Sequence, residues 1–370
     1  MRAVRIEARA FRNLTSLEVE LPVEGAVFLG PNGQGKTNLL ELLYYPVLFR
    51  SVRGARDVDL IQEGAEGFHL RLAIAEGDGP SRIVEAGFLA AGRRKRVSVD
   101  GAEPERVTEA LGSWLAVAFL PTDVGLIGGG AAERRQFLDR TLALAEPGYL
   151  RALRQYRSAV EQRNAALRRG LAEAAAAFDP AVAQFGAVLV GRRLAWVERY
   201  GPEWAAACEA LGESMPVCLH YRGHPELADR GAWPAVLASH RSRDLSTGTT
   251  SVGPHRDDLS LRLGTGSLRI NGSTGQQRTA AVALKLCERA TLRQATGREP
   301  AILLDDVFAE LDRTRQERLA NRLGLGGAEL ERGPQVFVTA PRLDELPPSL
   351  GLPIFRVAAG QLERTTGVGS

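Results

Sequence analysis

Apolar and polar positions follow two different patterns along the chain, continuous apolar runs and strict alternation. Residues 26–30 (AVFLG) form a short apolar run, which indicates a buried strand, and residues 38–49 (NLLELLYYPVLF) begin an apolar helical run. Between residues 67 and 100 the pattern alternates in three runs, FHLRLAIAE, SRIVEAGFLA and KRVSVDG, with turns at GDGP and AAGR. Alternation of this kind predicts antiparallel strands. Two later runs, AILLDD (301–306) and QVFVTAP (335–341), predict further buried strands.

The middle of the chain changes from alternation to helical spacing. A short helix is predicted over 105–115. From about residue 116 three segments have helical patterns: AERRQFLDRTLALA, GYLRALRQYRSAVEQRNAALRRGLAEAAAAF and DPAVAQFGAVLVGRRLAWVERYGPEWAAACEAL. Gly148 and Asp179-Pro180 are the expected breaks. The apolar spacing does not sustain heptads, which excludes a long coiled coil. The pattern predicts a helical lobe of roughly 120 residues inserted into an α/β protein.

The segment between the first apolar strand and the first helix reads GPNGQGKT (30–37) and fits the spacing G-x-x-x-x-G-K-[ST]. A strand, a glycine-rich turn and a helix N-terminus direct backbone N–H groups and the helix dipole at an anion. Lys36 can reach the β- and γ-phosphates of a nucleotide, and Thr37 can ligate Mg²⁺. The alternative is a chance match in a chain with 40 glycines, which the flanking strand and helix disfavour. The expected nucleotide-binding residues are Gly30, Asn32, Gly33, Gly35, Lys36, Thr37 and Asn38.

Two acidic residues end the apolar run AILLDD. In a phosphate-loop enzyme the first, Asp305, is expected to hold the Mg²⁺ shell together with Thr37. The second, Asp306, is expected to polarise the attacking water, and with Lys36 the two acids form the predicted catalytic set. The alternative is a core strand followed by a helix whose N-cap is Asp312.

A third segment, NGSTGQQR (271–278), precedes the helical run TAAVALKLCERATL. Ser273, Gly275 and Gln276 at a helix N-terminus indicate another anion site, and a simply capped helix is the alternative. The order of phosphate loop, serine–glycine helix start and apolar strand with two acids resembles the heads of ABC-type ATPases. By this resemblance 271–278 is the signature loop, and AELD (309–312) is the loop that crosses a dimer interface.

The resemblance implies an α/β fold, an ABC-type P-loop ATPase head with a mixed sheet and an antiparallel meander, interrupted by the helical lobe. The expected domains are an N-terminal part of the head at 1–115, the inserted lobe at 116–240 and a C-terminal part of the head at 241–370. Gln62 lies where such heads place a glutamine that touches Mg²⁺ and water, and a solvated loop glutamine is the alternative. Strand 335–341 offers Thr339 where ABC transporters carry a switch histidine, which favours weak hydrolysis and a switch over a pump.

Three further stretches narrow the family. Residues 119–139 (FLPTDVGLIGGGAAERRQFLD) and 249–259 (TTSVGPHRDDL), with FRNL at 11–14, are similar to patterns of the RecF family of ABC/SMC-like ATPases. The resemblance implies a head-to-head homodimer, in which ATP on one phosphate loop is capped by Ser273 and Gly275 of the partner subunit. It also implies weak ATPase activity with Mg²⁺ and sequence-independent DNA binding to duplex or single-strand/duplex junctions. The family's partners in guiding recombinase loading at gaps are RecR and RecO.

The charged residues of these stretches have two readings in the sequence. Arg134, Arg135 and Asp139 either support the nucleotide site or lie on a helix surface, and the run from His255 to Asp258 either supports that site or forms a turn into LSLRL. The alternative function for the chain is a transport-type ABC ATPase subunit acting on a membrane partner, which the helical insertion and GPHRDD disfavour. A small-molecule kinase would not need the serine–glycine helix start.

The basic residues of the chain are almost all arginine. The 370 residues carry 47 Lys plus Arg against 44 Asp plus Glu, and a net charge of +3 is close to neutral. Three of the basic residues are lysines (Lys36, Lys95 and Lys285), which leaves 44 arginines. Codon bias explains such a skew, and selection for phosphate contacts is the alternative. The tracks that either follow DNA phosphates or form solvated faces and a hairpin tip are Arg134-Arg135, Arg163, Arg168-Arg169, Arg192-Arg193 and RRKR at 93–96.

Composition also disfavours several classes of protein. No continuous apolar run reaches the roughly 18 residues of a membrane span, and the start MRAVRIEARAFRN lacks a secretory core. Cys208, Cys218 and Cys287 form no CxxC pair, so we expect a reduced cytoplasmic protein without a zinc site. Aromatic residues make up 6% of the chain, which does not support a base-stacking platform.

Overall fold

The computed structural model describes residues 1–77, 79–325 and 333–365, and the chain divides into two compact units. The first unit joins Met1–Thr122 to the segment that starts at Gly297, and the second is Asp123–Thr296. The sequence prediction limited the inserted part to 116–240. In the structure the second unit starts at Asp123, because strand Ala116–Phe119 pairs with strand Ala301–Asp305 of the first unit. It runs to Thr296, because the helix that begins inside NGSTGQQR packs on other helices of the second unit.

The elements follow in chain order. The first unit begins with β1 (Arg2–Phe11), β2 (Leu14–Glu20), β3 (Gly25–Leu29), α1 (Lys36–Leu48), β4 (Gly67–Ala75), β5 (Arg82–Leu89), β6 (Arg94–Val99) and β7 (Ala116–Phe119). The second unit holds α2 (Gly125–Gly128), α3 (Ala131–Ala145), α4 (Pro147–Arg168), α5 (Ala172–Ala176), α6 (Asp179–Ala210), β8 (Val217–Arg222), α7 (Trp233–Thr247), β9 (Asp258–Leu263), β10 (Gly266–Ser267), α8 (Leu268–Asn271) and α9 (Thr274–Thr296). The first unit resumes with β11 (Ala301–Asp305), α10 (Arg313–Leu323), β12 (Val336–Ala340), β13 (Ile354–Ala358) and β14 (Gln361–Arg364).

One sheet of the first unit is an antiparallel meander in the order β2-β1-β4-β5-β6. Along β4 the side chains of Phe68, Leu70 and Leu72 are buried, while His69 and Arg71 are exposed. One face therefore packs on the core and the other meets solvent. The three alternating runs between residues 67 and 100 are confirmed as β4, β5 and β6.

The other sheet of the first unit has the order β14-β13-β3-β12-β11-β7 and is parallel except for β14. Its central strands are buried on both faces, and Phe28 of β3 stacks on Phe337 of β12 with ring centroids 5.9 Å apart. Parallel strands place their carboxyl ends at one edge of a sheet. The residues that follow β3, β11 and β12 therefore come together there.

Two helical predictions need correction or adjustment. The helix expected over 105–115 is absent apart from a short 3₁₀ turn, Val107–Glu109. Gly112 has a φ of 82°, which an α-helix does not accommodate, and the indole of Trp114 donates to the carbonyl of Leu43 at 3.0 Å. The break expected at Gly148 lies slightly earlier, because α4 begins at Pro147, a residue favoured at the first helical position.

One helical stretch, Ala172–Ala210, is long and apolar enough to cross a membrane by length and composition alone. Charged residues of both signs interrupt it, so it contains no continuous apolar run of membrane-spanning length. Arg193 within it is buried, and the indoles of Trp196 and Trp204 donate to groups of α9 at 2.9 and 3.0 Å. Core helices of soluble proteins share this composition, and these contacts lead us to interpret the stretch as part of the core of the second unit.

Candidate nucleotide-binding site

The loop from β3 to α1 holds a backbone shape that glycine permits. Gly33 and Gly35 have φ of 81° and 110°, in the left-handed region that other residues avoid. Gly35 is the N-cap of α1, and its carbonyl accepts from the N–H of Leu39 at 3.0 Å. A Cβ on Gly30 would lie 2.3 Å from the carbonyl oxygen of Val357, so this position has no room for a side chain. The glycine spacing in GPNGQGKT therefore reflects tight turns and close packing against β13.

Lys36 lies inside the curve of this loop and is 4% exposed. Its Nζ donates to the carbonyl of Gly30 at 2.6 Å, to the carbonyl of Pro31 at 3.1 Å and to Oδ1 of Asn32 at 3.3 Å. An ammonium group has three N–H donors, and all three are directed at oxygens of the loop itself. This placement is compatible with the predicted phosphate contact, because phosphate oxygens can take over the role of these acceptors.

Asp305, the last residue of β11, meets Thr37 at the edge of the parallel sheet. The hydroxyl of Thr37 donates to Oδ1 of Asp305 at 2.9 Å. The hydroxyl of Thr339 donates to the same oxygen at 2.8 Å, and the register of β11 and β12 pairs these two residues directly. The strand order thus joins a hydroxyl and a carboxylate that lie 268 positions apart in the chain.

Asp306 is held beside Asp305 by its backbone. Its φ is 50°, an unusual value for a residue other than glycine, and its N–H donates to Oγ1 of Thr339 at 2.9 Å. Burial raises the pKa of Asp306, and repulsion from Asp305 adds to this, while Lys36 opposes it. Thr339 therefore contacts both acids of the predicted catalytic pair.

Gln34, in the middle of the phosphate loop, is held by turns on two sides. Its carbonyl accepts from Nδ2 of Asn13 at 3.1 Å and from the N–H of Gly360 at 3.0 Å. Its side-chain oxygen accepts from the N–H of Ala359 at 2.7 Å. Asn38 of α1 donates to Oδ1 of Asn13 at 2.8 Å, which ties the first turn of the helix to the same support.

The neighbouring Arg12 reaches a fully buried carboxylate on α1. Its Nε donates to Oε2 of Glu41 at 3.0 Å, and the hydroxyl of Ser51 also donates to Glu41. The sequence analysis assigned no role to Arg12, Asn13 or Gln34. Arg12 and Asn13 lie in FRNL, which indicated a family and not a contact, and Gln34 lies in GPNGQGKT at a position that the motif leaves open.

Gln62 belongs to the first unit but is engaged elsewhere. Its Nε2 donates to the hydroxyl of Thr15 at 2.7 Å, and its N–H donates to the carbonyl of Ala10 at 2.9 Å. Its expected contact with Mg²⁺ and water stays a prediction.

Ser273, Gly275 and Gln276 lie at the start of α9 in the second unit. The N–H of Gln276 donates to Oγ of Ser273 at 3.3 Å, and the N–H of Ser273 donates to Oε1 of Gln276 at 2.9 Å. This reciprocal pair is a capping box. The capped-helix alternative is confirmed as local geometry, as is Asp312, whose side chain accepts from the N–H of Arg315 at 2.9 Å as N-cap of α10. Ser273 is exposed, so the cap leaves the helix start accessible.

The two stretches that narrowed the family meet each other inside the second unit. Nε and Nη2 of Arg134 donate to the two carboxylate oxygens of Asp258 at 2.7 and 2.9 Å, a bidentate pair. Nη1 of Arg135 donates to the carbonyl of Asp257 at 2.7 Å. Arg134 and Asp139 are buried, so the helix-surface alternative is wrong for both.

Burial also excludes one arginine in each of three predicted tracks from contact with DNA. Arg134, Arg163 and Arg193 are 4%, 2% and 2% exposed. Arg163 donates to Asp179 at 2.8 Å and to Asp244 at 2.7 Å, while Arg193 donates to Asp139 at 2.7 Å. These guanidinium groups are neither solvated nor available to DNA, because they are enclosed and paired with carboxylates of the same unit. The exposed members of the tracks are Arg93, Arg94, Arg96, Arg168, Arg169 and Arg192.

The GPHRDD segment is fixed by buried polar groups. Nδ1 of His255 is 2.7 Å from the hydroxyl of Tyr156, and Nε2 is 2.9 Å from the carbonyl of Thr250. Burial lowers the pKa of His255 to about 4, against the opposing effect of the bond to Thr250. Neutral His255 therefore donates from Nε2 and accepts from Tyr156. Burial also raises the pKa of Asp257, which accepts a hydrogen bond from Tyr221.

Comparison with known sequences gives close relatives over nearly the whole chain, although no family model matches it. The chain is 35% identical over 378 residues to the DNA replication and repair protein RecF of Heliobacterium modesticaldum, covering 99% of this chain and 100% of that protein. It is 38% identical over 338 residues to the protein of the same name from Anaeromyxobacter dehalogenans, covering 87% and 89%.

Solved structures agree. The recombination mediator protein RecF-ATP in the RecFOR pathway is 28% identical, with a TM-score of 0.88 over 99% of this chain and 98% of that one. The RecF-ATPrS structure gives 0.86 at 28% identity over 98% of each chain. An Smc head domain from Pyrococcus furiosus, 14% identical, shares the fold with a TM-score of 0.58 over 98% of this chain and 96% of that one.

Fold, phosphate loop and paired acids together define an ABC-type ATPase head of the SMC-like class. The identity to curated relatives over nearly their full length narrows this further. The chain belongs to the RecF family, whose curated members are named DNA replication and repair proteins.

Proposed function

We propose that the protein is a weak ATPase that uses ATP to control DNA binding in recombinational repair and replication. The observation that carries the proposal is the contact of Thr37 with Asp305 at 2.9 Å beside the buried Lys36, at the carboxyl edge of the parallel sheet. This is the arrangement that a nucleoside triphosphate and its cation require. The similar structure named RecF-ATP supports ATP as the ligand.

The phosphate loop binds the β- and γ-phosphates through backbone N–H groups at the start of α1, where the helix dipole favours negative charge. Lys36 exchanges its loop acceptors for phosphate oxygens. Gln34 keeps the loop open for this, because Asn13 and Gly360 hold it from two sides. The nucleotide thus enters a loop that is already shaped.

Mg²⁺ fits the donor set at this edge. The ion prefers oxygen ligands and takes one or two carboxylates together with phosphate oxygens and waters. Thr37 and Asp305 supply a hydroxyl and a carboxylate, and the described residues contain no cluster of three or more His, Cys, Asp or Glu that would suit an all-protein cage. When bound, the ion neutralises charge on the β- and γ-phosphates. Gln62 is a further proposed ligand, on release of its bond to Thr15.

Asp306 orients the water that attacks the γ-phosphate, directly after β11, which is separated by β12 from the strand that leads into the phosphate loop. Thr339 holds Asp306 through its N–H and Asp305 through its carboxylate. Its hydroxyl takes the place on the central strand where transporters carry a histidine. Because a hydroxyl is neutral, it fixes the acids without supplying a positive charge to the reaction, which fits slow turnover.

ATP binding closes a homodimer, and hydrolysis reopens it. Ser273 and Gly275 of the partner subunit cap the nucleotide through the exposed start of α9. A ligand shifts such an equilibrium only by its different affinities for the two states, so ATP binds the closed dimer more tightly than the monomer. Cleavage of the bond to the γ-phosphate removes the group that both subunits contact.

The closed dimer binds DNA through its backbone, on duplex or at single-strand/duplex junctions, without reading sequence. The name of the similar structure places that protein in the RecFOR pathway, which supports RecR and RecO as partners in recombinase loading at gaps. We propose a cytoplasmic location, in keeping with this role. Family membership favours this function over a transport subunit.

The test is DNA binding by the purified protein on blunt and gapped duplex, at two salt concentrations, with and without a non-hydrolysable ATP analogue. We expect binding that requires the analogue and falls steeply with salt. Equal binding with and without the analogue would contradict ATP control, and no binding to either substrate would contradict the DNA-binding function.

A further inference from the structure

The hairpin between β5 and β6 is fixed to the end of α1 by a lysine. Nζ of Lys95 donates to the carbonyl of Phe49 at 2.6 Å, pairs with Asp57 at 2.7 Å and lies 5.6 Å from the centre of the Tyr45 ring. The hydroxyl of Tyr45 donates to the same Asp57 at 2.8 Å. Phe49 is the C-cap of α1, so Lys95 locks the hairpin onto the helix that begins at the phosphate loop.

The arginines next to Lys95 in the sequence point away from its contacts with Phe49, Asp57 and Tyr45. Successive side chains on a strand alternate in direction, so Arg94 and Arg96 of β6 share the face opposite to Lys95. Both are exposed, as is Arg93 in the turn. Neither Arg93 nor Arg94 has an ion-pair partner among the residues that the structure describes. We refer to residues 90–96 as the basic hairpin.

A hollow lies next to these arginines on the same face. Gly87 pairs with Arg96 on one side and with His69 on the other, and its missing side chain helps to leave a space of about 340 Å³. Two carboxylates line this space, and each already has a basic partner. Glu85 is 3.8 Å from Arg71, and Glu103 is 3.7 Å from Arg96. The surplus positive charge of the hairpin is therefore that of Arg93 and Arg94.

We propose that the basic hairpin binds backbone phosphates of DNA, an inference that rests on the proposed DNA-binding function. Planar guanidinium groups bind phosphate oxygens with two parallel hydrogen bonds. A protein partner would instead need a buried apolar or aromatic anchor at its centre, and Leu89, 50% exposed, is the one large exposed apolar side chain beside the hairpin in the described part of the chain.

The contacts of Lys95 also connect the nucleotide site to the basic hairpin. α1 carries Lys36 and Thr37 at its first turn and holds Lys95 through its C-cap at the other end. A shift of α1 on nucleotide binding would move the basic hairpin with it, since the bond to Phe49 connects them directly and the ion pair with Asp57 connects them through Tyr45. Lys95 is thus a positioning residue, and Arg93 and Arg94 make the contacts.

The experiment measures anisotropy of labelled duplex across a salt series with a non-hydrolysable ATP analogue. The test variant is Arg93→Gln/Arg94→Gln. The control is Arg318→Gln/Arg322→Gln, which removes the same charge from two exposed arginines on α10 of the same unit. For the test variant we expect at least about tenfold weaker binding at low salt, and a plot of log K against log salt shallower by about two, since each phosphate contact contributes about one. Arg93→Lys/Arg94→Lys should restore most of the slope.

Three outcomes separate the possibilities. If wild-type protein does not bind DNA, both the proposed function and the role of the basic hairpin are wrong. If wild type binds and the test variant keeps its affinity and slope, or if the control loses as much as the test variant, the basic hairpin is not the contact. Lys95→Met should weaken binding with an unchanged slope, and a slope reduced by about one would overturn its role as an anchor. Unchanged ATP-driven dimerisation of each variant shows that it is folded.

Discussion

The phosphate-loop edge of the first unit and the ion-pair network of the second are both built from charged side chains, but different partners satisfy them. At the loop edge, Lys36 bonds to backbone oxygens of its own loop, and Asp306 is about half buried. In the second unit, Arg193 and Arg163 are enclosed and bonded to carboxylates that are themselves buried. The first set has partners that a ligand can replace, and the second has no room for one. The two regions therefore differ in what holds their charges: oxygens of a loop at the phosphate-loop edge, and carboxylates of packed helices in the second unit.

The largest effect should come from breaking the enclosed network. Arg193→Met leaves Asp139 and the carbonyl of Pro254 without the guanidinium that joins them at 2.7 and 2.6 Å. Breaking a buried ion pair costs about 3–5 kcal/mol, which urea unfolding would measure. The adjacent Arg192→Gln is the control, because Arg192 is exposed and its pair with Glu146 lies at the surface, so its loss should stay below about 1 kcal/mol. Similar losses in the free energy of unfolding for both variants would show that the buried and the exposed arginine contribute equally to stability.

Lys36→Met tests the phosphate-loop edge, where we propose that a ligand replaces the oxygens bonded to Lys36. Removal of the ammonium should weaken ATP binding by about 100-fold, since it deletes charge-assisted bonds to phosphate, and should abolish ATP-driven dimers. Calorimetry and light scattering measure the two effects. Lys95→Met removes the same charge from β6, beside the C-terminal end of α1, and should leave ATP affinity unchanged. ATP-driven dimers in Lys36→Met at wild-type concentrations would refute the assignment.

The pH dependence of stability reports on His255. Its pKa is lowered to about 4 in the folded protein, below the ordinary value of 6.5, so the folded state binds fewer protons than the unfolded state. Stability is therefore complete above pH 6.5 and declines as the pH falls toward 4, by about 2 kcal/mol at pH 5. The groups around the ring are Tyr156, the Thr250 carbonyl, Arg256, Arg135 and Asp244. His255→Gln should flatten this part of the profile, and an equally steep decline in the variant would assign it to other groups.

The smallest effect concerns the hydroxyl that joins the two acids. Thr339→Val keeps the shape of the side chain but leaves the N–H of Asp306 without its acceptor, so turnover should fall by about tenfold with little change in ATP binding. Thr339→Ser restores the hydroxyl and should recover most of the rate. Phosphate release gives the turnover, and ATP affinity in the absence of Mg²⁺ gives the binding. Equal rates in Val and Ser variants would show that the hydroxyl has no role.

Much of the first unit could be predicted because its signals are local. The alternation of residues 67–100 specifies which face of each strand is buried, and the glycines of GPNGQGKT are required by the backbone of a single turn. The acids at the end of β11 were predicted in the same way, since an apolar run that ends in two carboxylates is visible in six residues. The meeting of Thr37 with Asp305 followed from their motifs, and the structure places them in contact.

The arginine tracks show where such reasoning fails. Arg192 and Arg193 are neighbours with the same charge, yet one is exposed and the other is enclosed by Asp139 and Tyr149. Spacing along a helix gives the direction of a side chain but not the residues brought opposite it by other helices. The role of GPHRDD was unreadable for the same reason, because the partners of His255 and Asp258 are Tyr156 and Arg134, each about a hundred or more residues away.

The sequence by itself determined the phosphate loop, the acid pair and the helical character of the insertion, because each depends on residues that are close together in the chain. It also determined the family, because several such local motifs follow one another in a characteristic order. Tertiary structure decided which charges are free. It enclosed Arg163 and Arg193, and it tied Lys95 to the end of α1. The physical reason is that burial and pairing are properties of packed elements, and the free energy of a charge depends on what surrounds it more than on its place in the chain.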